Sequence, residues 1–413
     1  MHQPKEFILI VACALVQALS LCAQPRSKEA ADSPANDGKS LHFALLTCTP
    51  GTDAYAHFGH TAIMMADEAS GQAVVYNYGC FDSSQDHFVW NFVKGDTNYK
   101  LEEEPLDYFL WRYSETGNGV TRQQLNLTPA EALRLRQLLA RNLQPANQTY
   151  LYNWLYDNCT ERARDIIAEA TLGDIVYTKG DTMTTVRQML HEKLTQAPWL
   201  RLGIDLVLGS EIDRPADRHT RMFLPDSYMA ELSQAYIRQP GTKSRPLVAY
   251  TSQLLTERDP GREVAGLLTP TVAFMLLLAA VAAISARDIR RHRPTLWLDV
   301  VLSIMQSLAG AILIFLFCCS KHPATKANSQ IALFMPTIFI YIAMLCRHLQ
   351  SKLTQGTPAA ITQTAPAWTN VALLATFAVL TLALHQSINP AVWLIALTLL
   401  TRAATTILTC RKA

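Results

Sequence analysis

The feature that most constrains this chain is an abrupt change in hydropathy near Leu267. Residues 24–262 carry mixed charges in ordinary globular proportions, whereas from Leu267 onward apolar runs dominate and only Asp288 and Asp299 are acidic. A helix needs roughly 20 apolar residues to cross a bilayer. Five segments approach that length: Leu267–Ser285, Leu296–Cys319, Ile331–Cys346, Trp368–Leu384 and Ala391–Cys410. In lipid such segments satisfy their backbone groups as helices, so residues 263–413 are expected to form an all-α membrane bundle of about five transmembrane helices. The third segment is short and contains Pro336. Arg402 is the only charge well inside a span, and snorkelling to the nearer face accounts for it, with Asp299 near the end of the second span read the same way.

The loops orient the bundle. Arg287, Arg290, Arg291 and Arg293 follow the first segment, Arg347 and Lys352 the third, and Arg411 and Lys412 the last. Alternating spans put all three groups on one side, which the positive-inside rule makes cytoplasmic. Lys321 and Lys326 are a minor counter-signal. The C-terminus is then cytoplasmic, and the preceding domain lies in the periplasm of a bacterial inner membrane. Residues 1–23, with Lys5 before an apolar core from Phe7 to Leu21 and a small Ala23, read as a signal peptide or an N-terminal anchor. Residues 24–40 are polar and rich in Pro, Ser, Lys and Asp, as a disordered linker would be. That leaves 41–262 as the exported domain. A net charge of +2 gives no reason to expect nucleic acid as a partner.

Within that domain Leu41–Cys48, His60–Met65 and Gln72–Tyr78 read as strands, with Ser70-Gly71 as a turn and Ala54–Gly59 as a turn or short helix. Tyr99–Pro105 and Val120–Leu127 alternate as strands do. Thr128-Pro129-Ala130-Glu131 is a helix start with a capping box. A second start lies at Asp157-Asn158-Cys159. Asp and Asn are N-cap types, and Ala163, Ile166, Ile167 and Ala170 then recur at helical spacing. Cys159 therefore sits on a first helical turn, where the helix dipole favours the thiolate.

Of nine cysteines, only Cys48, Cys80 and Cys159 fall in 41–262. In an oxidising compartment Cys48 and Cys80 are candidates for a disulfide, which leaves Cys159 over. His60, on a strand after Phe58-Gly59, is the expected base; His57 and His87 are rivals. Tyr76, Asn77, Tyr78 and Asp82 are candidates to orient that base. A thiol, an imidazole and a polar orienting group are the parts of a papain-type site, here in permuted order: His on a strand, a polar strand, then Cys on a helix. No CxxC or HExxH suggests a metal, and no P-loop or GxGxxG suggests a nucleotide cofactor. The run Pro198–Gly209 is unusually apolar and reads either as domain core or as a lip over the site that touches acyl chains.

These residues carry a resemblance. His60-Thr61-Ala62-Ile63, Val74-Val75-Tyr76 and Asn158-Cys159-Thr160-Glu161 resemble the lecithin:retinol acyltransferase-like group, permuted relatives of NlpC-type papain-like peptidases. Cys159 matches its nucleophile and His60 its base, while Tyr76 stands where that group has a second His. Gly59-His60-Thr61-Ala62, Tyr76-Asn77-Tyr78-Gly79, Asp157-Asn158-Cys159-Thr160 and Gly203-Ile204-Asp205-Leu206 also look like the Lnb N-terminal periplasmic domain family. The resemblance implies an α+β permuted papain-like domain that moves an acyl chain from a membrane phospholipid, through a Cys thioester, to the α-amino group of a lipoprotein's lipidated N-terminal Cys. An NlpC-like cell-wall peptidase and a non-enzymatic membrane assembly factor are the alternatives from other classes.

Overall fold

The computed structural model describes residues 38–51, 56–81, 87–178, 183–258, 266–353 and 360–410. The expected signal or anchor and nearly all of the expected linker lie outside them, as does Asp82. The chain divides into two compact units, one spanning Met1–Thr184 and Ala216–Arg262, the other Thr185–Pro215 and Glu263–Ala413.

The first unit is mixed α/β. Its strands are β1 (Leu41–Cys48), β2 (His60–Asp67), β3 (Gln72–Cys80), β4 (Asn98–Pro105), β5 (Val120–Leu125), β6 (Thr149–Leu151), β7 (Asp174–Val176), β8 (Tyr236–Arg238), β9 (Arg245–Pro246) and β10 (Val248–Leu255). Seven form one antiparallel sheet in the order β10-β5-β1-β2-β3-β4-β6, and β7-β8-β9 form a small second sheet. Side chains alternate across a strand, and β1 is apolar on both sides because both sides are covered. Phe43 and Leu45 join a core with Leu135 and Leu139 of helix Pro129–Asn142 and Ile166 and Ile167 of helix Cys159–Ala170. Ala44 and Leu46 join a second core with Phe109 of helix Leu106–Glu115. Helix Pro129–Asn142 begins with the expected capping box, Thr128 and Glu131 bonding each other's backbone N–H.

The expected Cys48–Cys80 disulfide is absent: neither cysteine is in one. Sheet order gives the reason. Cys48 is on β1 and Cys80 on β3, with β2 between them. Two strand spacings are about 9–10 Å, beyond the roughly 7 Å Cα separation a disulfide can bridge.

Among the described residues of the second unit, four helices are long and apolar enough to cross a membrane: Pro270–Arg291, Leu296–Cys319, Thr364–Leu384 and Pro390–Cys410. The expected third span is not one continuous helix. It divides into helices Gln330–Leu333 and Ile338–Leu353, with Pro336 in the break, where it cannot donate to a helical ladder. Arg402 does not snorkel. It is 3% exposed and bonds Asp299 at 2.7 and 3.1 Å, Asp288 at 3.0 Å and the Ser285 hydroxyl at 3.1 Å. The two carboxylates come from the first and second long helices, and the guanidinium from the last. A charge that costs too much in lipid alone is here buried as part of a satisfied cluster.

The segment 185–215, read from sequence as part of the exported domain, packs in this second unit. Leu202 of helix Pro198–Val207 lies in one core with Leu313, Phe334, Phe377 and Leu399. Asp205, 2% exposed, pins the helix down. Its carboxylate accepts from Arg187 at 2.8 Å, His191 at 2.7 Å and Asn389 at 2.8 Å, and its carbonyl accepts from Gln330 at 2.7 Å. Arg187 also grips Asp213 at 2.7 and 3.0 Å. The apolar run is thus core, of the unit that holds the membrane helices.

Candidate active site

Helix Cys159–Ala170 starts where the cap residues place it. The Asn158 side chain accepts from the Thr160 and Glu161 N–H groups at 2.8 and 3.1 Å, and its amide donates to the Trp154 and Phe223 carbonyls at 2.9 and 3.0 Å. Asp157 is not the cap; it holds Arg162 through two bonds of 2.6 and 2.7 Å. A hydroxyl pair, Thr160 to Thr61 at 3.0 Å, ties the helix start to β2. That tie brings Cys159 to His60, the first residue of β2.

Glycines make the close approach feasible. Gly59 has φ +76°, and a Cβ there would lie 2.6 Å from the Cys48 carbonyl oxygen, so only glycine lets the chain turn into His60. Gly79 has φ +92°; a Cβ there would stand 3.7 Å from Cys159 Cβ and 3.9 Å from His60 Cε1. It marks the point where thiol and imidazole converge, beside a register shift between Asn77 and Cys80 on β3.

Among the candidates to orient the imidazole, Asn77 is the one that bonds it. His60 Nε2 and Asn77 Oδ1 are 2.6 Å apart. Asn77 Nδ2 donates to Glu104 Oε1 at 3.1 Å, and Glu104 Oε1 also accepts from Arg112 at 2.5 Å. With its amide N–H committed to a carboxylate, Asn77 must present oxygen to the ring. His60 Nε2 is then the N–H donor, and Nδ1 is left for the thiol. His60 and Cys159 are hydrogen-bond partners. Burial alone pushes the Cys159 thiol up, but the His60 charge, its hydrogen bond, the Thr61 N–H and the Thr160 hydroxyl together bring it below the ordinary thiol value. His60 moves the opposite way. Burial pushes it down, while the Cys159 charge and the bonds to Cys159 and Asn77 carry it above the usual imidazole value. Each charged form thus favours the other, thiolate beside imidazolium.

Of the residues singled out by sequence, the site brings together Cys159, His60 and Asn77. Tyr76 points into the core that holds Phe43 and Ile63 and puts its hydroxyl 3.9 Å from Met65 Sδ; its neighbour Asn77 faces the other way, as consecutive strand residues must. Tyr78 is buried and accepts from Asn142 at 2.9 Å. His57 bonds the Gly51 carbonyl at 3.0 Å, and His87 is exposed at the start of helix Phe88–Lys94. Glu104, Arg112 and Thr61 were not foreseen. Glu104 alone left a trace: it lies on β4, one residue pair diagonal to Asn77 in the β3–β4 register. Among the described residues no group of three or more His, Cys, Asp or Glu side chains converges as metal ligands would.

Residues 28–192 match the family model described as the Lnb N-terminal periplasmic domain, and residues 262–413 match the Lnb transmembrane domain. Together the two models cover more than half of the chain. The chain belongs to the Lnb family. No curated protein and no solved structure matches it. The Lnb domains make it an integral membrane protein of the inner membrane whose N-terminal domain is periplasmic, in keeping with the four long apolar helices. Cys159, His60 and Asn77 lie within the matched residues 28–192.

Proposed function

We propose that this protein matures lipoproteins as a thiol-dependent N-acyltransferase. The observation that carries the reading is the orientation of His60: Nε2 tied to Asn77 Oδ1 at 2.6 Å, with the Cys159 thiol as the ring's other partner. This is the working geometry of a papain-like nucleophile, and the order of its parts along the chain supports a permuted papain-like domain.

In the first half-reaction His60 Nδ1 takes the Cys159 proton, and Sγ attacks the carbonyl carbon of a membrane phospholipid ester. The ester C–O bond then breaks. The departing oxygen takes the proton from His60, a lysophospholipid leaves, and an acyl-thioester remains. In the second half-reaction the free α-amine of a lipoprotein's lipidated N-terminal Cys attacks the thioester. His60 accepts a proton from the amine and returns it to the sulfur as the C–S bond breaks. The half-buried Glu104–Arg112 pair keeps the Asn77 amide from flipping through both halves. A membrane-anchored enzyme suits two membrane-bound substrates; hydrolysis of soluble wall peptides needs no such bundle. The loop charges support a cytoplasmic C-terminus and hence an odd number of spans, with the broken third segment as the fifth crossing.

The test uses a strain lacking its own lipoprotein N-acylation. The wild-type chain is expected to restore N-acylated lipoproteins and Cys159→Ala is not. Purified protein incubated with phospholipid is expected to gain the mass of one acyl chain, and Cys159→Ala to gain none. N-acylated lipoproteins in the Cys159→Ala strain would sink the reading, as would release of peptides from purified peptidoglycan without any acyl-enzyme.

A further inference from the structure

Tyr150, on β6, is buried in a way the chemistry so far does not use. It is 7% exposed, and its hydroxyl has no hydrogen-bond partner among the described residues. Buried hydroxyls are normally paired, and one left open at a reaction centre points to a partner that arrives later. The hydroxyl faces the centre described above. The point where a Gly79 Cβ would stand is 4.0 Å from Tyr150 Oη, 3.7 Å from Cys159 Cβ and 3.9 Å from His60 Cε1. The ring is held in place: the Arg162 guanidinium lies 3.7 Å over its centroid, itself gripped by Asp157, and Tyr78 packs edge-on at 6.4 Å.

The first turn of the Cys159 helix cannot supply a full oxyanion hole. Its Thr160 and Glu161 N–H groups are already bonded to the Asn158 cap, which leaves the N–H of Cys159. Oxyanion holes commonly offer two donors aimed at one point. We propose that the Tyr150 hydroxyl is the second donor, hydrogen-bonding the oxyanion formed when Cys159 attacks an acyl carbonyl; this role rests on the acyl-transfer reading above. As the S–C bond forms, the carbonyl π pair moves onto oxygen. Tyr150 O–H donates to that oxygen and keeps its proton throughout. Burial, reinforced by the Cys159 charge, raises the phenol well above its ordinary value, so it stays a donor at any working pH. Collapse restores the C=O, breaks the ester C–O bond, and sends the His60 proton to the leaving oxygen.

The experiment compares full-length wild type with Tyr150→Phe, which keeps the ring and its stack on Arg162. One arm follows the burst of nitrophenolate from p-nitrophenyl butyrate, which requires an oxyanion at the ester carbonyl. The other follows alkylation of Cys159 by iodoacetamide, a displacement at a methylene carbon that forms none. The burst rate is expected to fall about 10²-fold, with alkylation unchanged. A fall in the burst of less than about threefold overturns the proposal. A parallel fall in alkylation also overturns it, because Tyr150 would then support the thiol–imidazole pair instead. Should Tyr150→Phe fail to fold, 3-fluorotyrosine at position 150 strengthens the donor at nearly constant shape; an unaltered burst rate there counts against the proposal. Phospholipid is assayed separately by intact mass. A nitrophenyl ester burst without an acyl-enzyme from phospholipid refutes the donor proposed above, and the Tyr150 comparison is still decided by the ester arm.

Discussion

Cys159 and Cys48 lie in one domain and have opposite reactivities, because the groups around each sulfur differ. Cys48 is sealed in the core that also holds Phe109, and burial drives its thiol far up despite a hydrogen bond with Tyr113. Cys159 is drawn below its ordinary value, and His60 is raised. The signs fix a pH window. A lowered pKa lets the thiolate begin to form below the ordinary thiol value of about 8.5, and a raised one lets the imidazolium persist above the ordinary imidazole value of about 6.5. Iodoacetamide should therefore label Cys159 in the native protein with a midpoint below that of a free cysteine, while Cys48 labels only after denaturation. His60→Ala removes both the charge and its hydrogen bond and leaves only the Thr61 N–H and the Thr160 hydroxyl to oppose burial, so the midpoint should rise. Asn77→Ala should move it the same way by less. A midpoint that ignores His60→Ala would refute the ion pair. Cys159 and His60 were legible because cap residues and strand alternation place them without knowledge of the fold. Tyr76 and Asn77 were equally eligible in sequence. Which of two adjacent strand residues faces the ring depends on register, and register is set by β2 and β4, far along the chain.

Helix Pro198–Val207 shows how an element can be legible in type and ambiguous in allegiance. Its apolar run announces burial, and the same pattern suits a lip, a domain core or a membrane-side helix. Only the carboxylate of Asp205, bonded to Arg187, His191 and Asn389, reveals the unit in which it packs. Asp205 is held below the usual carboxylate value because these bonds outweigh the cost of burial. Its contribution to stability is thus present above the unfolded value of about 3.9 and disappears as pH falls through the lower folded value. Asp205→Ala leaves the buried Arg187 with one of its two carboxylate partners, Asp213, which should cost about 3–5 kcal/mol. The readout is the denaturation midpoint of the detergent-solubilised chain, and an unchanged midpoint would show the cluster to be idle. Helix Leu106–Glu115 escaped notice altogether, although it covers one face of the main sheet. Ten residues with a single buried phenylalanine give too few turns for periodicity to register. The Cys48–Cys80 pairing failed for a related reason: cysteine spacing carries no information on strand order.

At the scale of the whole molecule, the number of crossings decides where the chain ends. Starting from a periplasmic domain, four spans return the C-terminus to the periplasm and five leave it in the cytoplasm. An alkaline phosphatase reporter fused after Cys410 is expected to be inactive, and one inserted between residues 321 and 328 active. Activity at the C-terminal fusion would mean that the helix after Pro336 does not cross. The hydropathy change near Leu267 made the division into a periplasmic and a membrane domain readable. The partners of Arg402 were not readable, because they lie 103 and 114 residues away on other helices. That separation has a consequence for biogenesis. Asp299 and Asp288 enter the bilayer during synthesis more than 100 residues before the cation that neutralises them. A carboxylate at the centre of an inserting helix costs on the order of 2.5–3.5 kcal/mol, and these two, close to helix ends, cost less than that. The nascent bundle therefore carries an unpaid electrostatic debt until the final helix docks, and a chain truncated before Arg402 exposes two orphan acids to lipid. Full-length synthesis is in this way written into the membrane domain as a condition for its assembly.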